Sequence, residues 1–178
     1  MKLYVLRHGE TDGNVKGVMS GHEESYLTEN GREEARHARD MLATKQIDFA
    51  FVSPQIRTKE TAIIAANGKV PIIFDERLKS RNHGEFSGMR RDSVNLEDYW
   101  NYKKNERYEK AESARDIYNR VKSIVEEVKQ NYPDKNILFV THSGVCRILY
   151  HYFHGIPEDG DMLKGYEAVT GRIEEYDL

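Results

Sequence analysis

The chain has 178 residues, of which 32% are charged and 38% hydrophobic, with a formal net charge of -3. This is the length of one domain with a real core, and it excludes both a disordered chain and a nucleic-acid binder that relies on a broad basic face. A single cysteine, Cys146, excludes an internal disulfide framework and suits a reducing compartment. No apolar run reaches membrane-spanning length, and the N-terminus opens on a strand rather than a signal segment, so a cytoplasmic protein with no membrane partner is expected.

Leu3-Tyr4-Val5-Leu6 reads as a short buried strand that ends in Arg7-His8-Gly9. Residues 8–27 read as a long polar loop. Thr28 caps a helix whose buried side carries Ala35, Ala38 and Leu42, with Gly31 in its first turn. Residues 48–53 form a second strand stopped by Pro54, and a helix follows to about Ala66. Val70 to Phe74 is a third strand, placed toward an edge by Pro71. Residues 75–111 read as an irregular helical cap whose aromatics pack onto the sheet, an insert or lid rather than a separate domain.

Ser113 and Asp116 resemble a capping box, and Ile117, Val121, Ile124 and Val128 share one face of the helix that follows. Residues 136–141 form the clearest central strand, ending in His142-Ser143-Gly144, and a helix runs from about Val145 to Phe153. Two edge strands, Gly165–Val169 and Arg172–Tyr176, are expected to close the chain. This order favours a three-layer α/β/α sandwich with a mostly parallel central sheet.

The chemistry gathers at strand ends. His8 and His142 each terminate a strand, Arg7 lies beside the first, and Arg57 opens the helix after the second strand. Two Arg and two His at one sheet edge suit a dianion such as a phosphoryl group. A helix N-terminus after His142 adds backbone donors. Metal catalysis is weaker, because neither a close His pair nor a carboxylate cluster joins His8.

Four ordered motifs carry a resemblance over most of the chain: Leu6-Arg7-His8-Gly9-Glu10-Thr11 with Asn14, Leu27-Thr28-Glu29-Asn30-Gly31, Ser53-Pro54-Gln55-Ile56-Arg57-Thr58 with Thr61-Ala62, and Val140-Thr141-His142-Ser143-Gly144. The chain resembles the histidine phosphatases, the group that contains the cofactor-dependent phosphoglycerate mutases. Glu112-Ser113 with Arg120 is similar to the family's approach to its later helix. The resemblance implies a phosphoglycerate mutase-like fold, His8 as the nucleophile that becomes phosphohistidine, and Arg7, Arg57 and His142 around the phosphoryl oxygens. Asn14 and Ser143 are expected to contact the substrate, without metal or cofactor.

Two departures stand out. The family commonly carries Glu four residues before the glycine of the loop at 78–84, and this chain has Ser80 there. Glu85 is the first replacement candidate for the general acid, ahead of Glu10, Glu76 and His83, although a solvated loop charge is its plainer account. Ser25-Tyr26 also replaces the family's Asp-x-Pro before Leu27.

A phosphatase acting on a small soluble phosphomonoester is the expected function, because the chain is short for a dedicated mutase. A protein phosphohistidine or phosphotyrosine phosphatase, a mutase-type phosphotransferase, or an impaired phosphate-binding protein are the alternatives. An edge-strand homodimer is compatible with such a sheet, but no pattern specifies it.

Overall fold

The computed structural model describes all residues from Met1 to Leu178. Five strands form one sheet in the order β3-β2-β4-β1-β5: β1 is Lys2–Arg7, β2 Phe49–Val52, β3 Ile72–Phe74, β4 Ile137–Thr141 and β5 Ile173–Asp177. All pairings from β3 through β1 are parallel, and β5 joins β1 antiparallel. The helices are α1 (Asp12–Lys16), α2 (Glu29–Leu42), α3 (Ile56–Ala66), α4 (Leu96–Tyr99), α5 (Ala114–Asn131) and α6 (Ser143–His154).

Strand alternation divides the core into two layers. Tyr4, Leu6, Ala50, Val52, Leu138 and Val140 face α2 and α3, which meet them with Ala38, Leu42, Ala62 and Ala65. Leu3, Val5, Phe51, Ile137 and Phe139 point the other way, onto α5 and α6. The predicted stripe of α5 lies in this larger cluster, with Ile117, Val121 and Ile124 fully buried. Helices therefore cover both sheet faces, as expected for a mostly parallel sheet.

The chain leaves β1 toward β2 by way of α2, on one face, and leaves β4 toward β5 by way of α6, on the other. The connections thus depart in opposite directions at adjacent strand ends, which opens a crevice at the carboxyl ends of β1 and β4. Arg7 is in register with Thr141, so His8 and His142 emerge side by side.

Residues 75–111 form three short 3-10 turns and α4 rather than regular layers. Tyr99 and Trp100 bury in the same core as α5 and α6, as the cap reading expects. Arg81 is fully buried beneath them. It donates to the carbonyls of Tyr99 and Glu112 at 2.7 and 2.8 Å, and its guanidinium lies 3.5 Å from the Tyr99 ring centre.

Several expectations are corrected. The loop at 8–27 contains α1, closed by a capping box between Thr11 and Asn14. α6 begins at Ser143, with His142 as its N-cap, rather than at Val145. Of the two closing strands only the second forms. Gly165 has a φ of 76°, and the Ala168 carbonyl accepts from the Arg7 guanidinium at 2.6 Å, so Gly165–Val169 is committed to the crevice rather than to a ladder.

Candidate active site

His8 follows β1 directly, and its backbone N–H donates to the Thr141 carbonyl at 3.0 Å. The ring is buried, with Nδ1 2.7 Å from the Gly9 carbonyl oxygen. A carbonyl can only accept, so the hydrogen sits on Nδ1 and Nε2 keeps its lone pair. Burial, with Arg7 and Arg57 nearby, holds the imidazole well below its usual pKa and therefore neutral. The sequence thus delivers a neutral imidazole with one basic nitrogen free.

The backbone here is packed closely. Gly9 N–H donates to the Thr61 hydroxyl at 3.2 Å. A Cβ on Gly9 would stand 2.2 Å from the Gly31 carbonyl oxygen, and a Cβ on Gly31 would stand 2.1 Å from the Glu10 carbonyl oxygen. Gly31 therefore sits in the first turn of α2 because that helix abuts the histidine loop, which outweighs its poor helix propensity.

The His142 ring lies 5.2 Å from that of His8, centre to centre. Its Nε2 meets the Ser53 hydroxyl at 2.8 Å, while Nδ1 is buried without a partner. Burial and the neighbouring Arg57 hold this imidazole neutral too. Arg57, in the first turn of α3, donates to the carbonyls of Gly21 and Glu23 at 2.8 and 3.0 Å. Desolvation lowers its pKa to about 10, which leaves it charged at neutral pH.

Arg7 and Arg57 are only 7% and 2% exposed, and the hydrogen bonds they make go to backbone carbonyls. Buried cations without a carboxylate are costly unless an anion completes them. Arg7 Nε is another buried donor without a partner.

One cavity is lined by Arg7, His8, Asn14, Arg57, His142 and Ser143 together with Thr11, Val18, Met19, Ser20, Gly21, Ser80, His83 and Arg91. Asn14 Oδ1 accepts from the Thr11 N–H and hydroxyl, each at 3.0 Å, which turns its amide NH2 outward as a donor. The N-terminus of α6 opens at Ser143 on the same cavity. A Cβ on Gly144 would stand 2.9 Å from the Trp100 ring, so glycine there lets the insert close over the helix start.

Glu85 is not brought to the cavity. It lies exposed on a 3-10 turn, and its carboxylate accepts from the Glu109 N–H at 2.9 Å. Glu10 and Glu76 are engaged with the Thr28 hydroxyl and Lys79. Of the acid candidates weighed from sequence, His83 alone lines the cavity, with Nδ1 2.7 Å from the Tyr99 hydroxyl. Burial and the Arg81 charge push it down to about 3, so it too is neutral. Cys146 is buried and its thiol is pushed up to about 12, the inert core thiol expected.

Sequence reasoning assigned no role to Ser53, Thr61, Gln55 or Arg91. Gln55 bridges the Gly21 carbonyl and the Ser80 N–H, both at 2.9 Å. Ser53, Gln55 and Thr61 all stood within a quoted motif, Ser53 as the last residue of the expected second strand. Arg91 sits in a segment without periodicity and gave no signal.

Two neutral imidazoles and two buried guanidiniums therefore share one crevice at the carboxyl ends of β1 and β4 in an α/β fold. A model of the histidine phosphatase superfamily (branch 1) matches residues 3–166. Phosphoserine phosphatase 1 of Hydrogenobacter thermophilus is 29% identical over 88% of this chain and 77% of its own length. The 2,3-bisphosphoglycerate-dependent phosphoglycerate mutase of Cytophaga hutchinsonii is 31% identical over 99% and 87%. The solved structure of Bacillus stearothermophilus YhfR superposes with a TM-score of 0.89 at 27% identity, covering 99% of this chain and 91% of that one. The chain belongs to the histidine phosphatase superfamily, with the phosphoglycerate mutase-like α/β/α sandwich, and is a histidine-phosphatase-type hydrolase.

Proposed function

We propose that the protein hydrolyses a small soluble phosphomonoester through a phosphohistidine formed on His8. The observation that carries this reading is the free Nε2 of a neutral His8 beside Arg7 and Arg57, two buried cations whose hydrogen bonds go to carbonyls. The likeness to a phosphoserine phosphatase and to a phosphoglycerate mutase supports a small phosphorylated metabolite as substrate.

In this reading the phosphoryl oxygens are held by Arg7, Arg57, His142 and the Asn14 amide, with Ser143 and the start of α6 adding donors. Nε2 of His8 attacks phosphorus in line with the leaving oxygen, and the P–O bond breaks as the N–P bond forms. The cationic cage meets negative charge as it shifts, at no cost in reorganisation. Water then attacks phosphohistidine, which releases inorganic phosphate and restores His8. Splitting the transfer in two lowers each barrier. Residues 1–178 act as one domain in which the segment 75–111 supplies specificity.

Quenching in alkaline detergent during turnover tests the nucleophile. Label from a phosphorus-labelled substrate is expected on His8, as an acid-labile, base-stable adduct. His8→Ala is expected to abolish turnover with an unchanged far-ultraviolet circular dichroism spectrum. Equal turnover by parent and variant would sink the reading, and a positional isomer in place of free phosphate would make the protein a mutase.

A further inference from the structure

The phosphoryl cavity contains no Asp or Glu among its 14 lining residues. Ser80 lines it where the family pattern expects a carboxylic acid. The Ser80 backbone is fixed from three sides: its N–H donates to Gln55 Oε1, and its carbonyl meets His22 Nε2 and Arg120 Nη2. The imidazoles at hand are poor proton donors at neutral pH, since His8, His83 and His142 are all held neutral. General acid help normally contributes about 10²–10⁴-fold, so a site without it favours leaving groups that depart unaided.

The space beside the phosphoryl cavity suits a particular kind of leaving group. A cleft of about 240 Å³ adjoins the phosphoryl cavity and shares Met19, His83, Arg91 and Ser143 with it. Its far walls include Leu96, Trp100, Leu163 and Tyr166. Arg147 lies between the aromatics, 5.3 Å from the Trp100 ring centre and 5.7 Å from that of Tyr166. Apolar and aromatic walls accept a flat group, and Arg91 lines both cavities.

We propose that this site is selective for small phosphate esters whose leaving oxygen belongs to a planar conjugated group, that is, aryl or enol phosphates. The proposal rests on the phosphatase reading above and narrows its substrate class. As the His8 N–P bond forms, the electron pair of the breaking P–O bond goes to the leaving oxygen. That oxygen departs as a resonance-stabilised anion beside Arg91 and takes its proton from water afterwards. Glu167 borders the cleft but not the phosphoryl cavity and is exposed.

The test is the dependence of kcat/KM on leaving-group acidity, measured over substituted phenyl phosphates with phosphoserine and glycerol phosphate as alkyl members. The parent is expected to show a steep fall as the leaving group becomes more basic, with alkyl esters about 10²-fold or more below the aryl esters, the share that acid help normally supplies. Ser80→Glu is expected to flatten the fall and to improve alkyl esters over the parent. If that variant does not fold, the parent's slope alone decides. A flat dependence, or alkyl esters as good as aryl ones, overturns the proposal while leaving the phosphatase reading intact. Glu167→Gln would then show whether that carboxylate is the donor. Failure to hydrolyse any ester, with no label on His8, sinks both.

Discussion

The tautomer of His8 is set by one backbone contact, and its protonation by its neighbours. Because burial and two guanidiniums depress its pKa, Nε2 stays free as pH falls through 6.5. After correction for substrate ionisation, with a second phosphate pKa of about 6, kcat/KM should show no enzyme limb at 6.5. Its acid limb should appear lower, once His8 protonates. A limb at 6.5 that vanishes in His142→Asn would instead assign the titration to His142. The Ser53 hydroxyl meets His142 Nε2 at 2.8 Å and accepts a longer bond from the Gln55 N–H at 3.5 Å. Ser53→Ala should lower kcat about tenfold, equivalent to about 1.4 kcal/mol, with KM little changed. Ser53→Thr, which keeps the hydroxyl, should recover most of the loss.

At the scale of elements, the site depends on segments being held at fixed distances by groups that never touch substrate. Arg120 on α5 grips the Glu112 carboxylate through Nε and Nη2, at 2.6 and 2.7 Å, and also donates to the carbonyls of Arg77 and Lys79 at 2.6 and 3.0 Å. Both side chains are mostly buried, at 20% and 16% exposure. Arg120→Met would leave Glu112 buried without its partner and should cost about 3 kcal/mol of unfolding free energy by urea titration. Adding Glu112→Leu should restore part of it. The contact between α2 and the histidine loop is equally exacting. Gly31→Ala should lose about 1–3 kcal/mol and activity together, because the new Cβ would press on the Glu10 backbone, which has no free rotation to yield.

These elements also mark how far the sequence could be read. Strands β1, β2 and β4 announced themselves as apolar runs, and α5 through its capping box and stripe. Both histidines and both arginines stood at strand or helix ends, so topology alone brings them together. What could not be read depends on long-range partners. The segment Gly165–Val169 has strand-like residues, but the Arg7 guanidinium takes one of its carbonyls. Glu85 sits in the right loop, but its carboxylate faces the Glu109 backbone. Gly31 looked like a weakness in a helix until the Glu10 carbonyl was placed against it.

Across the whole molecule, the crevice is bought with stability: buried Arg7 and Arg57 repel one another, and below pH 6.5 several imidazoles are kept from protonating. His8, His83 and His142 all have folded pKa values below the 6.5 of an unfolded chain. Above pH 6.5 neither state binds protons at these rings. Below it the unfolded chain binds them and the folded one does not, so stability falls as pH drops through 6.5 toward the folded values. Each ring contributes a slope of about 1.4 kcal/mol per pH unit. Urea titrations should therefore show stability declining from near pH 6.5, before the carboxylates protonate, and His83→Gln should remove about one ring's share of that slope. An anion in the cage opposes the same repulsion. Inorganic phosphate at 100 times its Kd should add about 2.7 kcal/mol of stability at pH 7. The gain should disappear in Arg57→Gln, and an equal gain in parent and variant would mean that phosphate binds elsewhere.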